Sequence, residues 1–101
     1  MIKFTLGSTS SVSGAIKFSL PVATSTSYAA AVSEPFGLVI FTDAGTSNIM
    51  GVCSWETSTT AGVFAWDPSG AWVKLGNTSS VVPMGWATSD RIQIQGTYEV
   101  A

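Results

Sequence analysis

No histidine occurs anywhere in this chain of 101 residues. That removes the commonest general base and metal ligand, and with them every Ser-His-Asp or Cys-His reading. A lone cysteine, Cys53, excludes an intrachain disulfide framework. Its surroundings, Ile49-Met50-Gly51-Val52-Cys53-Ser54-Trp55, read as a strand, so the thiol is expected to be buried and inert. Charge is scarce as well: 10% of residues, against about 25% in an ordinary soluble domain. The four basic residues, Lys3, Lys17, Lys74 and Arg91, are scattered and cannot build the footprint that phosphate binding needs, so no nucleic acid partner is expected. No apolar run approaches the ~18 residues of a membrane-spanning helix. Phe36 to Phe41 is only six long, and no membrane partner is expected. The N-terminus lacks the basic and apolar regions of a signal peptide, which points to a cytoplasmic site of synthesis.

What is present argues for a folded domain. Apolar residues make up 46% of the chain, with four tryptophans and five phenylalanines, and the net charge is only −2. That is ample surface to bury and a poor match to disorder. Serine and threonine fill 27 of 101 positions and do most of the solubilising. The length fits one domain over residues 1–101, large enough for a real core. So few charges on so apolar a chain suggest a surface partly covered by an oligomer interface or by a larger assembly, the alternative being a monomer of modest thermal stability with a Ser/Thr surface.

Helix signals are almost absent. Tyr28-Ala29-Ala30-Ala31-Val32 is too short for a stable helix and is stopped by Glu34-Pro35, so it reads as a loop or single turn. Strand signals recur throughout. Ile2 to Leu6 alternates and leads into a serine-rich loop from Gly7 to Gly14. Ala15 to Leu20 places Ile16, Phe18 and Leu20 inward and Lys17 and Ser19 outward, and Pro21 ends it. Phe36 to Thr42 is continuously apolar, as in a strand covered on both faces. Asp43-Ala44-Gly45-Thr46 is a turn, and Asn48 to Glu56 is the returning strand. Val63 to Leu75 reads as a hairpin around a type I turn, in which Asp67 caps, Pro68 presets φ and Gly70 takes the left-handed exit. Trp66 and Trp72 would then pair across it. Gly76 to Ser80 reads as a loop, and Val81 to Trp86 as a short segment broken by Pro83.

The closing stretch is the clearest strand. Ile92, Ile94, Tyr98 and Val100 share one face with Gly96, and Gln93, Gln95, Thr97 and Glu99 share the other. A strand from about Arg91 to Val100 is expected inside the sheet, with Ile92, Ile94 and Tyr98 buried. Seven or eight short strands, turns every 8–12 residues and no helices predict an all-β, antiparallel, jelly-roll-like sandwich.

Little in the inventory carries chemistry. The six carboxylates are Glu34, Asp43, Glu56, Asp67, Asp90 and Glu99. Asp67 and Asp90 are accounted for by turns, and nothing fixes a facing pair of the kind glycoside hydrolysis needs. Asp43 to Asn48 offers oxygens to calcium without the Asp-x-Asp spacing, so a plain turn is the simpler reading. No cofactor is implied. Asn77-Thr78-Ser79 fits a glycosylation pattern, but with no secretion signal it reads as chance in a polar loop. Trp55, Trp66, Trp72 and Trp86 are the candidate binding residues, since aromatic planes on a β surface can stack on sugars. Packing is the competing role, as each buries on the order of 200 Å².

Two stretches carry a resemblance. Trp86-Ala87-Thr88-Ser89-Asp90, followed by the alternating Ile92 and Ile94 and by Gly96-Thr97-Tyr98-Glu99, resembles the closing strand of small β-sandwich modules in virion proteins of tailed bacteriophages. Ser13 to Val22, with its Ser19-Leu20-Pro21-Val22 ending, is similar to their early strand. The two bracket residues 13 to 101. The resemblance implies a non-enzymatic virion surface protein made in the host cytoplasm. One placement is a capsid decoration (cement) protein that binds the major capsid protein or other virion proteins. Another is a trimeric knob of a tail or head fibre, touching the host surface and its glycans. Because the sequence is used up by one domain starting at Met1, with nothing left over to join a fibre, the decoration role is the expectation, as a homotrimer or as copies ordered on the coat lattice. The rival from another class is a carbohydrate-binding module using the tryptophans.

Overall fold

The computed structural model describes residues 1–24 and 35–98. Among the described residues there is no helix. Seven strands follow in order: β1 (Ile2–Thr5), β2 (Lys17–Ser19), β3 (Pro35–Asp43), β4 (Ser47–Trp55), β5 (Thr60–Asp67), β6 (Lys74–Asn77) and β7 (Arg91–Gly96). Every pairing is antiparallel. All seven belong to one curled sheet of order β1-β7-β3-β4-β5-β2. β2 and β6 share the far side of β5, β2 against Thr60–Gly62 and β6 against Phe64–Asp67. The chain is therefore all-β and antiparallel, as its alternation predicts. The described strands form a single hydrogen-bonded sheet, and neither a second sheet nor a jelly-roll order is seen among them.

The centre of the sheet is the β3–β4 hairpin. Its turn is the one expected: Thr46 N–H donates to the Asp43 carbonyl at 2.9 Å, and Gly45 takes φ +80°, which a side chain would resist. β7 inserts between β1 and β3, so the closing strand is paired on both sides. Ile94 stands opposite Ile2 and Val39, and Ile92 opposite Phe4 and Phe41. This strand is shorter than its periodicity predicts. It ends at Gly96, opposite Gly37, where a Cβ on Gly96 would lie 2.7 Å from the Gly37 Cα. Backbones this close leave no room for a side chain. Tyr98 falls beyond the strand and is half-buried rather than buried. Its hydroxyl donates to the Val22 carbonyl at 2.8 Å, and its ring meets Phe36 edge-on. Val100 and the Tyr28–Val32 stretch lie outside the described residues.

One face of the sheet holds the core. Val39 and Phe41 of β3, Cys53 of β4, Val63 and Ala65 of β5, and Ile92 and Ile94 of β7 form one buried cluster, and Met84 of the β6–β7 connection closes over it. Burial of each large side chain stabilises by about 1.5–3 kcal/mol. A second cluster gathers Leu20, Trp55 and Ala61 against Phe18, Phe36 and Tyr98. Burial pushes the Cys53 thiol up to about 11, as an inert core cysteine should be.

The covering loops are fixed by side-chain bonds. Thr78 is buried, and its Oγ1 accepts the Ile16 N–H at 2.7 Å, joining the end of β6 to the start of β2. Asp90 is a buried clamp. Its Oδ1 accepts the Ala44 N–H at 2.9 Å and its Oδ2 the Ala87 N–H at 2.7 Å. Its carbonyl takes the Leu6 N–H at 2.9 Å. One aspartate thus ties the β3–β4 turn, the 87–90 turn and the end of β1.

Further sequence expectations need correction. β3 is covered on one face only, because Leu38 and Ile40 point to the opposite side of the sheet from Val39 and Phe41. The β5–β6 hairpin exists, but pairing resumes only at Lys74, so residues 68–73 form a wide loop instead of a tight turn. Asp67 does cap, its Oδ1 accepting the Ser69 N–H at 2.9 Å, yet Gly70 is not left-handed. Finally, Gly76 and Asn77 belong to β6, where Gly76 faces Ala65 and Asn77 faces Phe64.

Candidate functional site: the open sheet face and its groove

The face opposite the core is also apolar. Two cross-strand rows build it. One runs Gln95, Leu38, Val52, Phe64 and Asn77, and the next runs Gln93, Ile40 and Met50. The β4–β5 register carries this second row on to Trp66, which stands opposite Leu75. Val52 and Phe64, in the middle, are buried, but the flanks are not: Leu38 is 54% exposed, Met50 40% and Trp66 45%. Apolar side chains gathered on one face at this exposure form a patch, which scattered surface residues do not.

At the rim of the sheet, where residues of both faces (Met50, Trp66 and Asn77 from one, Ile49, Asp67 and Gly76 from the other) meet the β6–β7 connection, the chain leaves a groove of about 830 Å³. Met50 and Trp66 line it from the sheet, Val73 from the β5–β6 loop, and Val82 and Pro83 from the β6–β7 connection. Asn48, Asp67, Ser69 and Asn77 supply its polar groups. A hydrogen bond from Ser69 holds the exposed Asp67 carboxyl below its ordinary range, with the Lys74 charge adding to the effect. A second hollow of about 480 Å³ lies further along the face, between Leu38 and Ile40 of β3 and Gln93 and Gln95 of β7.

The four tryptophans divide into two that pack inside the protein and two that are exposed. Trp55 is buried and stacks tilted on Phe36 with centroids 4.7 Å apart. Trp86 is half-buried and meets Phe41 edge-on at 6.1 Å, and its Nε1–H donates to the Ser79 carbonyl at 2.8 Å. Those two hold the core. Trp66 and Trp72 are exposed, Trp72 at 85%. They do not pair across the hairpin as the sequence predicts, because Trp66 faces Leu75 and Trp72 sits in the 68–73 loop. Of the residues expected to be structural, Ile92 and Ile94 are core, Tyr98 bridges two loops, and Asp67 and Pro68 open the loop that walls the groove.

Sequence reasoning missed Leu38 and Met50 as surface residues and Ile40 as half-buried beside them. Alternation along a strand puts every second residue of that run on the face away from the core, but only the register with β4 and β7 says which. No group of three or more His, Cys, Asp or Glu side chains able to hold a metal is found among the described residues, and no helix there is long and apolar enough to cross a membrane. Compared with known proteins, the chain matches no family model, no curated protein and no solved structure.

Proposed function

We propose that this chain is a non-enzymatic binding module of a virion surface, acting as a decoration protein that docks on the coat lattice. The observation that carries the binding half of this reading is the group of exposed apolar side chains Leu38, Met50 and Trp66, with half-buried Ile40 between them, on the sheet face away from the core. The virion half rests on the resemblance of residues 13–22 and 86–99 to phage β modules. A residue inventory without histidine and with dispersed carboxylates supports binding over catalysis.

Docking of this kind buries at least about 1,000 Å² in total, either in a closed homotrimer or against coat subunits. Few charges are available to it, so moderate salt weakens it little. Particles stripped of the protein should still form but lose resistance to heat or chelation, and adding the protein back should restore it. A Leu38→Asp variant with unchanged melting temperature should fail to restore it. A strictly monomeric protein that ignores both particles and cells would end this reading. The fibre-knob placement keeps a specific observation of its own, the groove at the rim of the sheet, which suits a host-surface ligand better than a flat lattice contact.

A further inference from the structure

We infer that the groove beside Trp66 binds a neutral saccharide, one face of a sugar ring lying on the indole. This rests on the binding-module reading and names a ligand class for one part of its surface. Three features select the occupant. The first is size: about 830 Å³ falls within the range of small-ligand sites, and one or two sugar rings fit it. The second is the mixture of chemistries. An exposed indole offers an apolar plate, widened by Met50 and Val73, while Asn48, Asn77 and Asp67 stand in the same lining. Asn48 Oδ1 already accepts the Thr42 hydroxyl at 2.8 Å, which leaves its amide NH₂ as a donor. Asp67 accepts from the Ser69 N–H and the Ser69 side chain, and the two carboxylate oxygens keep lone pairs for a further donor. A sugar ring has this character, with C–H groups on its face and hydroxyls at its rim. An apolar peptide would use the plate but strip water from the amides and the carboxylate without replacing their hydrogen bonds.

The third feature is charge. Asp67 is the one ionisable group in the lining, and the charge of Lys74, its register partner outside the lining, acts on it, so the two offset one another. A strongly anionic or cationic ligand gains nothing there. Trp72, on the loop that supplies Val73, is the most exposed large apolar side chain among the described residues, and it stands next in sequence to that wall.

The test titrates the full chain with neutral oligosaccharides of glucose, galactose, mannose and N-acetylglucosamine, read by tryptophan fluorescence and calorimetry. At least one should saturate. Trp66→Ala should weaken it by about tenfold or more with the melting temperature unchanged, and Asn48→Ala should weaken it less. Val22→Ser, an exposed change far along the chain from the groove, should bind as the parent does. Saturation by none of the four series would overturn the inference, as would a Trp66→Ala variant that binds normally. Sedimentation in which Trp66→Ala splits an oligomer that binds no sugar would also overturn it, making the groove a contact between copies. The particle reading is judged separately. A Trp66→Ala protein that still protects stripped particles leaves lattice docking standing, whereas a sugar-binding protein that ignores particles removes lattice docking alone.

Discussion

Val39 and Phe41 are sealed in the core, while Leu38 and Ile40, their neighbours on the same strand and no less apolar, lie on the open side. The contrast runs through the whole sheet. On one face Ile92, Ile94, Cys53 and Val63 interlock under Met84 and Trp86, and on the other Met50 and Trp66 meet solvent. Composition alone cannot separate these faces, because both are rich in large apolar residues. Strand parity and the loops above one face do so. The lesson is that apolar content here divides in two, holding the fold on one side and remaining exposed as a patch on the other.

The comparison breaks most readily at Ile94. Ile94→Asp places a carboxylate among Val39, Ile92 and Ile2, at a cost of several kcal/mol against a total stability of about 5–15. The variant should show no cooperative melting, whereas Leu38→Asp, one strand away on the other face, should melt like the parent. Equal losses from the two would mean that the faces are not distinct.

The tryptophans sharpen it next. Trp86→Ala removes the ring edge-on to Phe41 and the bond to Ser79, and should cost about 3–5 kcal/mol in denaturant unfolding. Trp66→Ala should stay within about 0.5 kcal/mol, as exposed substitutions do. The clamp residue comes third. Asp90→Ala leaves the Ala44 and Ala87 N–H groups without their acceptor, each worth about 1–3 kcal/mol when buried. Asp90→Asn, which keeps one acceptor oxygen, should lose less than the alanine variant.

The smallest effect is one of pH. The folded Cys53 thiol ionises near 11 and the unfolded one near 9.0, so between those values the unfolded chain loses its proton first. The stabilising contribution is whole below pH 9 and is lost as pH rises through 11. The stability difference between the parent and Cys53→Ala should therefore narrow across that window. A difference flat from pH 7 to 11 would show that the thiol is not desolvated.

How far the sequence reveals this arrangement depends on how each strand is written. β7 alternates Ile-Gln-Ile-Gln, so its buried and open sides are legible at once. β3 reads Leu-Val-Ile-Phe, and four apolar residues in a row carry no parity. Only the register with β4 and β7 assigns Val39 and Phe41 inward, which is why the run reads as a strand covered on both sides. The Asp67-Pro68 loop failed for a different reason. The turn residues are correct locally, but hairpin length is set by where pairing resumes, and Lys74–Asn77 is too short and too polar to announce itself as a strand. Trp66 and Trp72 consequently look like partners, and the groove between β4, β5 and the β6–β7 connection has no linear signature at all. Asp90 reads as a turn residue, but the bond to Ala44, 46 residues away, does not.

The division of labour between the faces is tested most directly by methionine oxidation, because Met50 lies on the open face and Met84 in the core cover. Free protein and particle-bound protein would be exposed to peroxide and each sulfoxide measured by mass spectrometry. The account predicts rapid oxidation of Met50 and protection of Met84 in the free protein, with Met50 becoming protected on the particle. Met50 as slow as Met84 in the free protein, or as fast on the particle as off it, would contradict the claim that the open face is the docking surface.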